Sequence, residues 1–290
     1  MKQLLLFATL CAGALSVAAQ QKEPVDAIIN EFYHHPEHIM VAAHRASHNK
    51  YPENSLAAVK ESIEQGIDVV EIDLHETKDH ILVVMHDATI TRTTGKPGKI
   101  KDYTYRELQQ FPLLFNGQPT TEKIPTFEQV LQLTKGRIIV DVDFKEDSES
   151  AAKQAFAQIA AHGMEKQVLF FIYDHHQAPT LHSWNPKIPV MPRAHSIAEV
   201  AEIQEIAAKQ GKFPVIHGDD SFYSDSLMKS ITASGTRVWM NALGKYDKLE
   251  SEKEDAGFDQ LRKDAAYANA IQTNYPEKLL VYLRKKGLHK

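Results

Sequence analysis

The stretch Val69–Asp87, VVEIDLHETKDHILVVMHD, contains two extended runs separated by a tight turn. In the first run, three aliphatic residues alternate with Glu71 and Asp73, which is the period of a strand with one apolar face and one face that bears carboxylates. The second run, 81–86, follows too closely for a parallel crossover, so the two runs are predicted to pair antiparallel. The stretch therefore predicts a hairpin with two acids on one face.

The register of this hairpin decides what stands beside the acids. If a two-residue loop places Lys78 opposite Ile81, Asp73 falls opposite His86, and their side chains project from the same side of the ribbon. Carboxylates held this close repel one another, and a divalent cation with oxygen ligands relieves the repulsion. The alternative interpretation is a solvated hairpin with its polar residues on a wet face.

Other apolar runs along the chain have the length and composition of buried strands, and amphipathic runs lie between most of them. The eight predicted strands are Ile39–His44, Val69–Leu74, Ile138–Phe144, Val168–Tyr173, Ile188–Ala194, Phe213–His217, Arg237–Ala242 and Ala270–Thr273. Predicted helices include Leu56–Gln65 after Asn54 as a candidate cap, Glu149–His162 and Ile197–Gln210. Strand and helix alternating eight times predict the α/β class and a TIM (β/α)8 barrel.

The first 19 residues, MKQLLLFATLCAGALSVAA, have one lysine, an apolar run from Leu4 to Val17, and small residues at Ala18 and Ala19. This pattern indicates a secretory signal peptide cleaved near Ala19, with a lipoprotein anchor at Cys11 as the rival interpretation. The run is shorter than the roughly 18 to 20 residues that span a bilayer. We therefore expect an exported protein, periplasmic or secreted, without a stable membrane anchor.

Residues 20–290 are predicted to form a single barrel domain, after a short leader at 20–37. One long interruption, about 88–125, is rich in Thr, Lys, Gly and Pro and is predicted to be a small insertion after the hairpin that carries His86. No repeat, low-complexity tract or second core is evident. Cys11 is the only cysteine, so cleavage leaves no thiol for a disulfide or a zinc–thiolate site. The net charge of −5 argues against nucleic acid as a partner.

Chemistry in a TIM barrel lies at the carboxyl ends of the strands, and polar residues gather there in this sequence. They are His44 and Arg45 after the first strand, Glu71 and Asp73 on the second, and Asp141, Asp143 and Lys145 on one face of the third. A lumen filled by apolar side chains would not accept these acids without a counter-charge. A cation is therefore expected beside them.

Three blocks resemble the signatures of the glycerophosphodiester phosphodiesterase family in order and spacing: HRASHNKYPENS (44–55), EIDLHETKDHILVVMHD (71–87) and VDVDFK (140–145). Two later segments, VWMNALG (238–244) and IQTNYPE (271–277), resemble the family's tryptophan strand and Thr-Asp element more weakly. The resemblance implies a TIM barrel that hydrolyses a glycerophosphodiester, or a similar small phosphodiester, to an alcohol and a glycerol phosphate. In the family the attacking group can be the neighbouring glycerol hydroxyl, which gives a cyclic phosphate before water.

The resemblance also implies roles for individual residues. His44 and His86 would be the acid and base; Glu71, Asp73 and Asp143 would hold one divalent cation; Arg45 and Lys145 would face the phosphate; and Trp239 and Asn241 would contact substrate, with Trp239 as a wall of the pocket. Histidine suits both proton-transfer roles near neutral pH. An all-oxygen ligand set suits Mg²⁺ or Ca²⁺, with Mn²⁺ as a third choice.

Three residues depart from the family's pattern. Ala46 stands where Gly is usual, so a positive φ there would be strained. Asp143 replaces a Glu that is one methylene longer, and Asn274 replaces an Asp near the last strand. These departures keep open a barrel that binds a phosphorylated ligand without turning it over. A third candidate is a phospholipase-D-like lyase on the same fold, as in the sphingomyelinase D relatives, but the absence of cysteine excludes their loop disulfide.

Weaker candidates follow the other strands, each with a structural explanation of similar weight. They are Asp174, His175 and His176, which could line the mouth or lie in a solvated loop; Arg193 and His195, which could bind an anion or cap a helix; His217 and Asp219; and Glu53, which could brace the first loop.

Overall fold

The computed structural model describes residues 24–290 and contains eleven strands. The strands are β1 (Met40–Ala43), β2 (Val69–Glu76), β3 (Leu82–Val84), β4 (Leu114–Phe115), β5 (Gln118–Pro119), β6 (Ile139–Phe144), β7 (Val168–Ile172), β8 (Val190–Pro192), β9 (Val215–His217), β10 (Arg237–Asn241) and β11 (Ala270–Thr273). Eight of them are parallel and run in the order β8-β7-β6-β2-β1-β11-β10-β9. A single bridge between Arg193 and His217 joins β8 to β9 and brings the two ends of the sheet together. The predicted TIM barrel is confirmed, and its eight strands lie within the predicted runs or extend them slightly.

Within residues 24–290, twelve α-helices accompany the strands. They are α1 (Pro24–His34), α2 (Leu56–Glu64), α3 (Thr91–Thr94), α4 (Tyr105–Leu108), α5 (Phe127–Thr134), α6 (Glu149–Ala161), α7 (Ala178–Trp184), α8 (Ile197–Gln210), α9 (Asp225–Ala233), α10 (Lys245–Glu252), α11 (Ala256–Asp264) and α12 (Pro276–Lys285), with 3₁₀ turns at Ile100–Asp102 and His175–Gln177. The cap of α2 is Ser55, whose side chain accepts a hydrogen bond from the Ala58 N–H, and not the expected Asn54.

The core divides by strand face, because successive residues of a strand point to opposite sides. In β6, Val140 and Val142 belong to the large apolar cluster between strands and helices. Ile139 belongs to a smaller cluster with Val69 and Trp239. Along each strand, one residue therefore packs against the surrounding helices and the next points into the lumen of the barrel.

Helix α1 lies in the predicted leader, which the sequence pattern did not mark as structured. Its Val25 and Phe32 pack into the smaller apolar cluster, whose strand residues come mostly from the amino ends of the barrel strands. The guanidinium of Arg237, 1% exposed, donates to the backbone carbonyls of Glu31, Phe32 and His35. It also donates to those of His38 and Asn269. One buried side chain therefore satisfies carbonyls at the carboxyl end of the helix.

The hairpin forms as predicted, but its register differs by one residue. Leu74 pairs with Val84, so Asp73 lies opposite Met85 and not His86. The reason is the loop: the Thr77 N–H donates to the Ile81 carbonyl across a three-residue connection, and His80 takes a left-handed φ of 61°. The predicted two-residue loop is therefore wrong.

The insertion after the hairpin has a small apolar cluster of its own. It is built from Val83, Met85, Ile90, Ile100, Leu108, Leu113 and Ile124. The sequence showed no sign of this second, smaller apolar cluster. The cluster includes Val83 of the hairpin strand β3 and therefore adjoins the barrel. The predicted signal peptide, residues 1–19, lies outside the described residues. Among residues 24–290, no helix has the length and apolar character needed to cross a membrane.

Candidate active site

A cavity of about 240 Å³ opens at the carboxyl ends of the strands. Residues from all eight barrel strands or the loops just after them line it, including His44, Arg45, Glu71, Asp73, His86, Asp141, Asp143, Lys145, Tyr173, Arg193, His217, Asn241 and Gln272. Sequence analysis nominated nine of these for the site, and the structure brings all nine to it: His44, Arg45, Glu71, Asp73, His86, Asp141, Asp143, Lys145 and Asn241. This end of the barrel is where the fold positions functional side chains.

His44 follows β1 and is oriented by the last strand. Its Nδ1 donates to Oδ1 of Asn274 at 2.8 Å, which leaves Nε2 as the unprotonated nitrogen of the neutral ring. Burial lowers the pKa of His44 to about 4, although the Asn274 hydrogen bond acts in the opposite direction. Asn274 therefore sets the tautomer of this histidine, while burial keeps its ring neutral.

The loop after His44 uses a conformation that is rare for residues with a Cβ. Arg45 and Ala46 have φ values of 50° and 64°. Ala46 therefore adopts the positive φ that the sequence marked as strained for a residue other than glycine, at a cost of about 1 to 2 kcal/mol. In return, the Arg45 N–H donates to Oε2 of Glu71 and the Ala46 N–H donates to the Glu71 carbonyl. The loop is fastened to β2 at the acid site.

Four buried acids meet on β2 and β6. Glu71 pairs in register with Asp141, and Asp73 with Asp143. Burial, followed by repulsion from Asp73 and Asp143, raises the pKa of Glu71 well above its usual range, and burial and the same kind of repulsion do so for Asp141. Burial also raises the pKa of Asp143. Removing so many carboxylates from water favours a cation among them.

Lys145 supplies part of that positive charge. Its Nζ bonds Asp143, lies 3.2 Å from Oδ1 of Asp73 and donates to the Tyr173 hydroxyl at 2.8 Å. Burial opposes its charge, but the neighbouring carboxylates of Asp143 and Asp73 raise the pKa of Lys145. It is therefore a fixed cation between the acids and the cavity.

The residues also fit a divalent cation. Glu71, Asp73 and Asp143 each offer an oxygen, and these oxygens lie within 4.8 Å of one another. Oδ1 of Asp143 and Oδ1 of Asp141 are buried without a hydrogen-bond partner. Unpaired anionic oxygens in a buried cluster are the donors that Mg²⁺ and Ca²⁺ prefer. The single ammonium group of Lys145 leaves these two carboxylate oxygens without a partner.

His86 is connected to Arg45 through the insertion. Its Nδ1 donates to Oδ1 of Asp87, and Nε of Arg92 donates to Oδ2 of the same carboxylate, each at 2.7 Å. The other end of the Arg92 guanidinium bonds both carboxylate oxygens of Glu53, which also accepts from Arg45. Glu53 thus braces the first loop, as predicted, and Arg92 links both loops.

Of the two residues predicted to contact substrate, Asn241 and Trp239, only Asn241 reaches the cavity. Asn241 lines the cavity, whereas Trp239 is fully buried and does not. Its indole N–H donates to Oδ1 of Asn241 and Oε1 of Gln272 at 3.2 Å each. The expectation that Trp239 forms a wall of the pocket is therefore wrong, because β10 turns it into the apolar cluster below, where it supports residues that do face the cavity.

Sequence reasoning missed three residues that line the cavity or hold its acids in place. Gln272 donates to Oε2 of Glu71, and Asn54 donates to Oδ2 of Asp73, so both amides hold acids in place. Tyr173 donates to Asp143 at 3.0 Å. Gln272 alternates with the apolar residues of its strand, and Tyr173 ends the predicted strand Val168–Tyr173, so alternation could have found both. Asn54 lies in a loop, where periodicity gives no direction.

The later histidines separate into two groups. His217 and Arg193 line the cavity, and burial, with the nearby Arg193, lowers the pKa of His217 to about 3. His195 pairs with Glu199 and does not line it. His175 and His176 also lie outside the cavity, on the loop after β7.

Residues 44–249 match the Glycerophosphoryl diester phosphodiesterase family. A curated glycerophosphodiester phosphodiesterase from Caldanaerobacter subterraneus is 29% identical over 157 residues, 52% of this chain and 65% of the relative, so the match spans less than two thirds of that protein.

Two solved structures share the fold. A glycerophosphoryl diester phosphodiesterase from Parabacteroides distasonis has a TM-score of 0.77, 22% identity, and coverage of 92% of this chain and 93% of its own. An Oleispira antarctica phosphodiesterase in complex with the product sn-glycerol-3-phosphate has a TM-score of 0.68, 23% identity, and coverage of 85% and 97%. The sequence blocks, the barrel and the match over 44–249 lead to one conclusion: this chain belongs to the glycerophosphoryl diester phosphodiesterase family.

Proposed function

We propose that this protein hydrolyses a glycerophosphodiester, or a closely similar small phosphodiester, to an alcohol and a glycerol phosphate. The observation that carries the proposal is one cavity in which His44 and His86 border a cluster of carboxylates and fixed cations. Family membership supports the reaction class. The Oleispira antarctica relative, which holds sn-glycerol-3-phosphate as its product, supports the substrate class.

His44 is the proton acceptor in this proposal. Its low pKa of about 4, caused first by burial, keeps the ring neutral near pH 7. Because Nδ1 donates to Asn274, Nε2 is free to take a proton from the attacking hydroxyl. That hydroxyl belongs to water or to the neighbouring carbon of the glycerol.

His86 is the proton donor to the leaving alcohol. The Asp87 carboxylate holds Nδ1–H at 2.7 Å, fixes the ring and can stabilise positive charge on it, as the aspartate of a catalytic triad does. Arg92 in turn holds Asp87 from the insertion. The two histidines therefore have different partners, a neutral amide and a carboxylate, which suits opposite roles.

Glu71, Asp73 and Asp143 would hold one divalent cation, Mg²⁺ or Ca²⁺, with Mn²⁺ as a third choice. When bound, the cation supplies positive charge that offsets the charge of the phosphodiester. Arg45, Lys145 and Arg193 face the same cavity and can bind phosphate oxygens. Export to the periplasm or the medium is part of the proposal and is supported by residues 1–19.

The test is turnover of a panel of glycerophosphodiesters with Mg²⁺, Ca²⁺ or Mn²⁺. We expect His44→Ala and His86→Ala each to lower kcat about 10² to 10⁴-fold, as for the loss of a general acid or base. His80→Ala, in the exposed hairpin turn, is the matched control and should keep the parent's rate. Failure of the folded, metal-loaded parent to turn over any diester would favour the binding-only barrel. Near-parental turnover by either variant would remove that histidine from the mechanism.

A further inference from the structure

A second group of metal-ligating side chains lies outside the cavity, on the loop after β7. His175 and His176 form the 3₁₀ turn that follows Asp174, and Glu202 faces them from α8. Nε2 of His175 is 2.8 Å from Oε2 of Glu202, and Nε2 of His176 is 3.6 Å from the same oxygen. Two imidazole nitrogens from adjacent residues thus converge on one carboxylate oxygen.

The second imidazole is held in the tautomer that a metal requires. Nδ1 of His176 donates to Oδ1 of Asp174 at 2.8 Å, which leaves the lone pair of Nε2 on the side of Glu202. A carboxylate that holds the far nitrogen of a histidine is the usual outer partner of a metal-bound histidine. A lone pair that faces a carboxylate oxygen at 3.6 Å is repelled unless a proton or a cation lies between them.

The spacing of the donor atoms fits a transition metal. Zinc takes imidazole nitrogen and carboxylate oxygen at about 2.0 to 2.2 Å in tetrahedral geometry, so neighbouring donors should stand roughly 3.3 Å apart. The observed separations of 2.8 and 3.6 Å lie on either side of that value. His176 and Glu202 have side chains that are 69% and 51% exposed, so they can adjust and an ion can reach them.

The local charge also favours a cation. Asp174, Glu199 and Glu202 are all acidic, and the ion pairs they form within residues 24–290 are with histidines. The surroundings of the two imidazoles are therefore acidic, which favours a cation between them.

A rival group at the other end of the barrel has the opposite charge balance. Glu31, His35 and His38 also bring donor atoms within 4.8 Å of one another. However, Lys290 already bonds Oε1 of Glu31 at 2.8 Å, and the buried guanidinium of Arg237 bonds the carbonyls of all three residues. The positive charges of Lys290 and Arg237 therefore disfavour a metal ion at this group.

We propose that His175, His176 and Glu202 form a second metal site, with Asp174 as the outer partner of His176, that takes a divalent transition metal such as Zn²⁺. Its nitrogen-rich donor set distinguishes it from the all-oxygen acid cluster, which suits Mg²⁺ or Ca²⁺. A bound ion would join the loop after β7 to α8. That loop begins at Tyr173, which bonds Lys145 and Asp143 in the cavity. The site is independent of whether the proposed hydrolysis occurs.

The test is calorimetric titration of the full protein with Zn²⁺ in the presence of excess Mg²⁺, which occupies oxygen ligands. We expect one equivalent of Zn²⁺ to bind. His176→Ala and Glu202→Gln, both at exposed positions, should each weaken binding by about 10-fold or more, since even loss of an outer partner has an effect of that size. The visible absorption of Co²⁺ substituted at the site should disappear in the same variants.

Matched variants separate this site from its rivals. His35→Ala alters the Glu31 group and should leave Zn²⁺ binding unchanged, as should Asp143→Asn in the acid cluster. Zinc binding that is lost in His35→Ala or Asp143→Asn but kept in His176→Ala would overturn the assignment. So would a parent protein that takes up no Zn²⁺ with Mg²⁺ present. Because the readout is binding, failure of the hydrolysis proposal does not affect it.

Discussion

Asn274 fixes the tautomer of His44, because its amide oxygen accepts from Nδ1 without supplying a negative charge. Asn274→Asp would place a carboxylate at that position and stabilise the imidazolium, so the pKa of His44 should rise from about 4. If His44 acts as a base, the acidic limb of kcat/KM should move to higher pH, since the unprotonated fraction is lost below the pKa. The pH profile of kcat/KM measures this directly.

Asn49→Asp is the matched control, because Asn49 bonds the Asn274 carbonyl and Glu277 and not the imidazole. It adds the same charge nearby and should leave the acidic limb in place. Equal profiles for Asn274→Asp and the parent would mean that His44 is not the group whose protonation limits the reaction.

Asp143 stands one methylene short of the residue usual in the family, and its Oδ1 is buried without a partner. Glu at this position would extend the carboxylate by roughly 1.5 Å, about one carbon–carbon bond, toward Glu71 and Asp73. Mg²⁺ requires short metal–oxygen distances in near-octahedral geometry, whereas Ca²⁺ accepts longer distances and irregular geometry. We therefore expect Asp143→Glu to stay active and to shift metal preference toward Mg²⁺, as activity profiles across Mg²⁺, Ca²⁺ and Mn²⁺ would show.

Asp141→Asn, in the register pair next to Glu71, is the control for that series. It removes a buried acid from the same strand face and should leave the order of metal preference unchanged. If Asp141→Asn alters the metal preference and Asp143→Glu does not, Asp141 and not Asp143 is the metal ligand.

At the scale of elements, the insertion supports the site through α3. Arg92 bonds Asp87 through Nε and Glu53 through both terminal nitrogens, so a planar fork holds two loops at once. Arg92→Lys keeps the charge but cannot make these bonds together. We expect kcat to fall roughly 10- to 100-fold with a small change in KM, because misplacement of catalytic groups by about 1 Å has effects of this order.

Steady-state kinetics on a soluble glycerophosphodiester would measure the effect, and Arg106→Lys on the exposed side of α4 is its control. If Arg92→Lys keeps the kcat of the parent protein, His86 and Arg45 hold their positions without the guanidinium bonds to Asp87 and Glu53.

Sequence periodicity predicted the barrel wall but not the connections. Glu71 and Asp143 were found because strand alternation sends every second side chain into the lumen, and the structure confirms this for both. The hairpin register was wrong because alternation does not give loop length, and His80 in a left-handed conformation lengthens the loop by one residue. Trp239 was misplaced for a related reason: periodicity gives the face of a strand but not the depth along the lumen.

For the whole molecule, Arg237 is the main polar connection between α1 and the barrel. Its five hydrogen bonds go to backbone carbonyls, and burial lowers its pKa to about 10. Arg237→Met would remove all five bonds, although the carbonyls of Glu31, His35 and Asn269 each keep one backbone partner. We expect a loss of about 3 to 5 kcal/mol in the free energy of unfolding, as for other broken buried networks. Urea unfolding measures this loss.

Activity per folded molecule should persist in Arg237→Met, since the cavity lies at the opposite end of the strands. Arg137→Met, at an exposed position, should change stability by less than about 0.5 kcal/mol. If both substitutions have equal effects, the carbonyl network does not stabilise the fold. Helix α1 itself was not predicted because its short apolar stripe precedes the first strand and so lies outside the alternation of strand and helix.

The single bridge between Arg193 and His217 has a consequence for how the barrel wall moves. Every other neighbouring pair of wall strands shares a ladder of at least two residue pairs, whereas β8 and β9 share this one pair. Backbone amides at this joint should exchange their hydrogens with deuterated water faster than those between β2 and β6. Both bridge residues line the cavity, so glycerol phosphate bound there should slow that exchange, and mass spectrometry of the labelled peptides with and without it would record the difference.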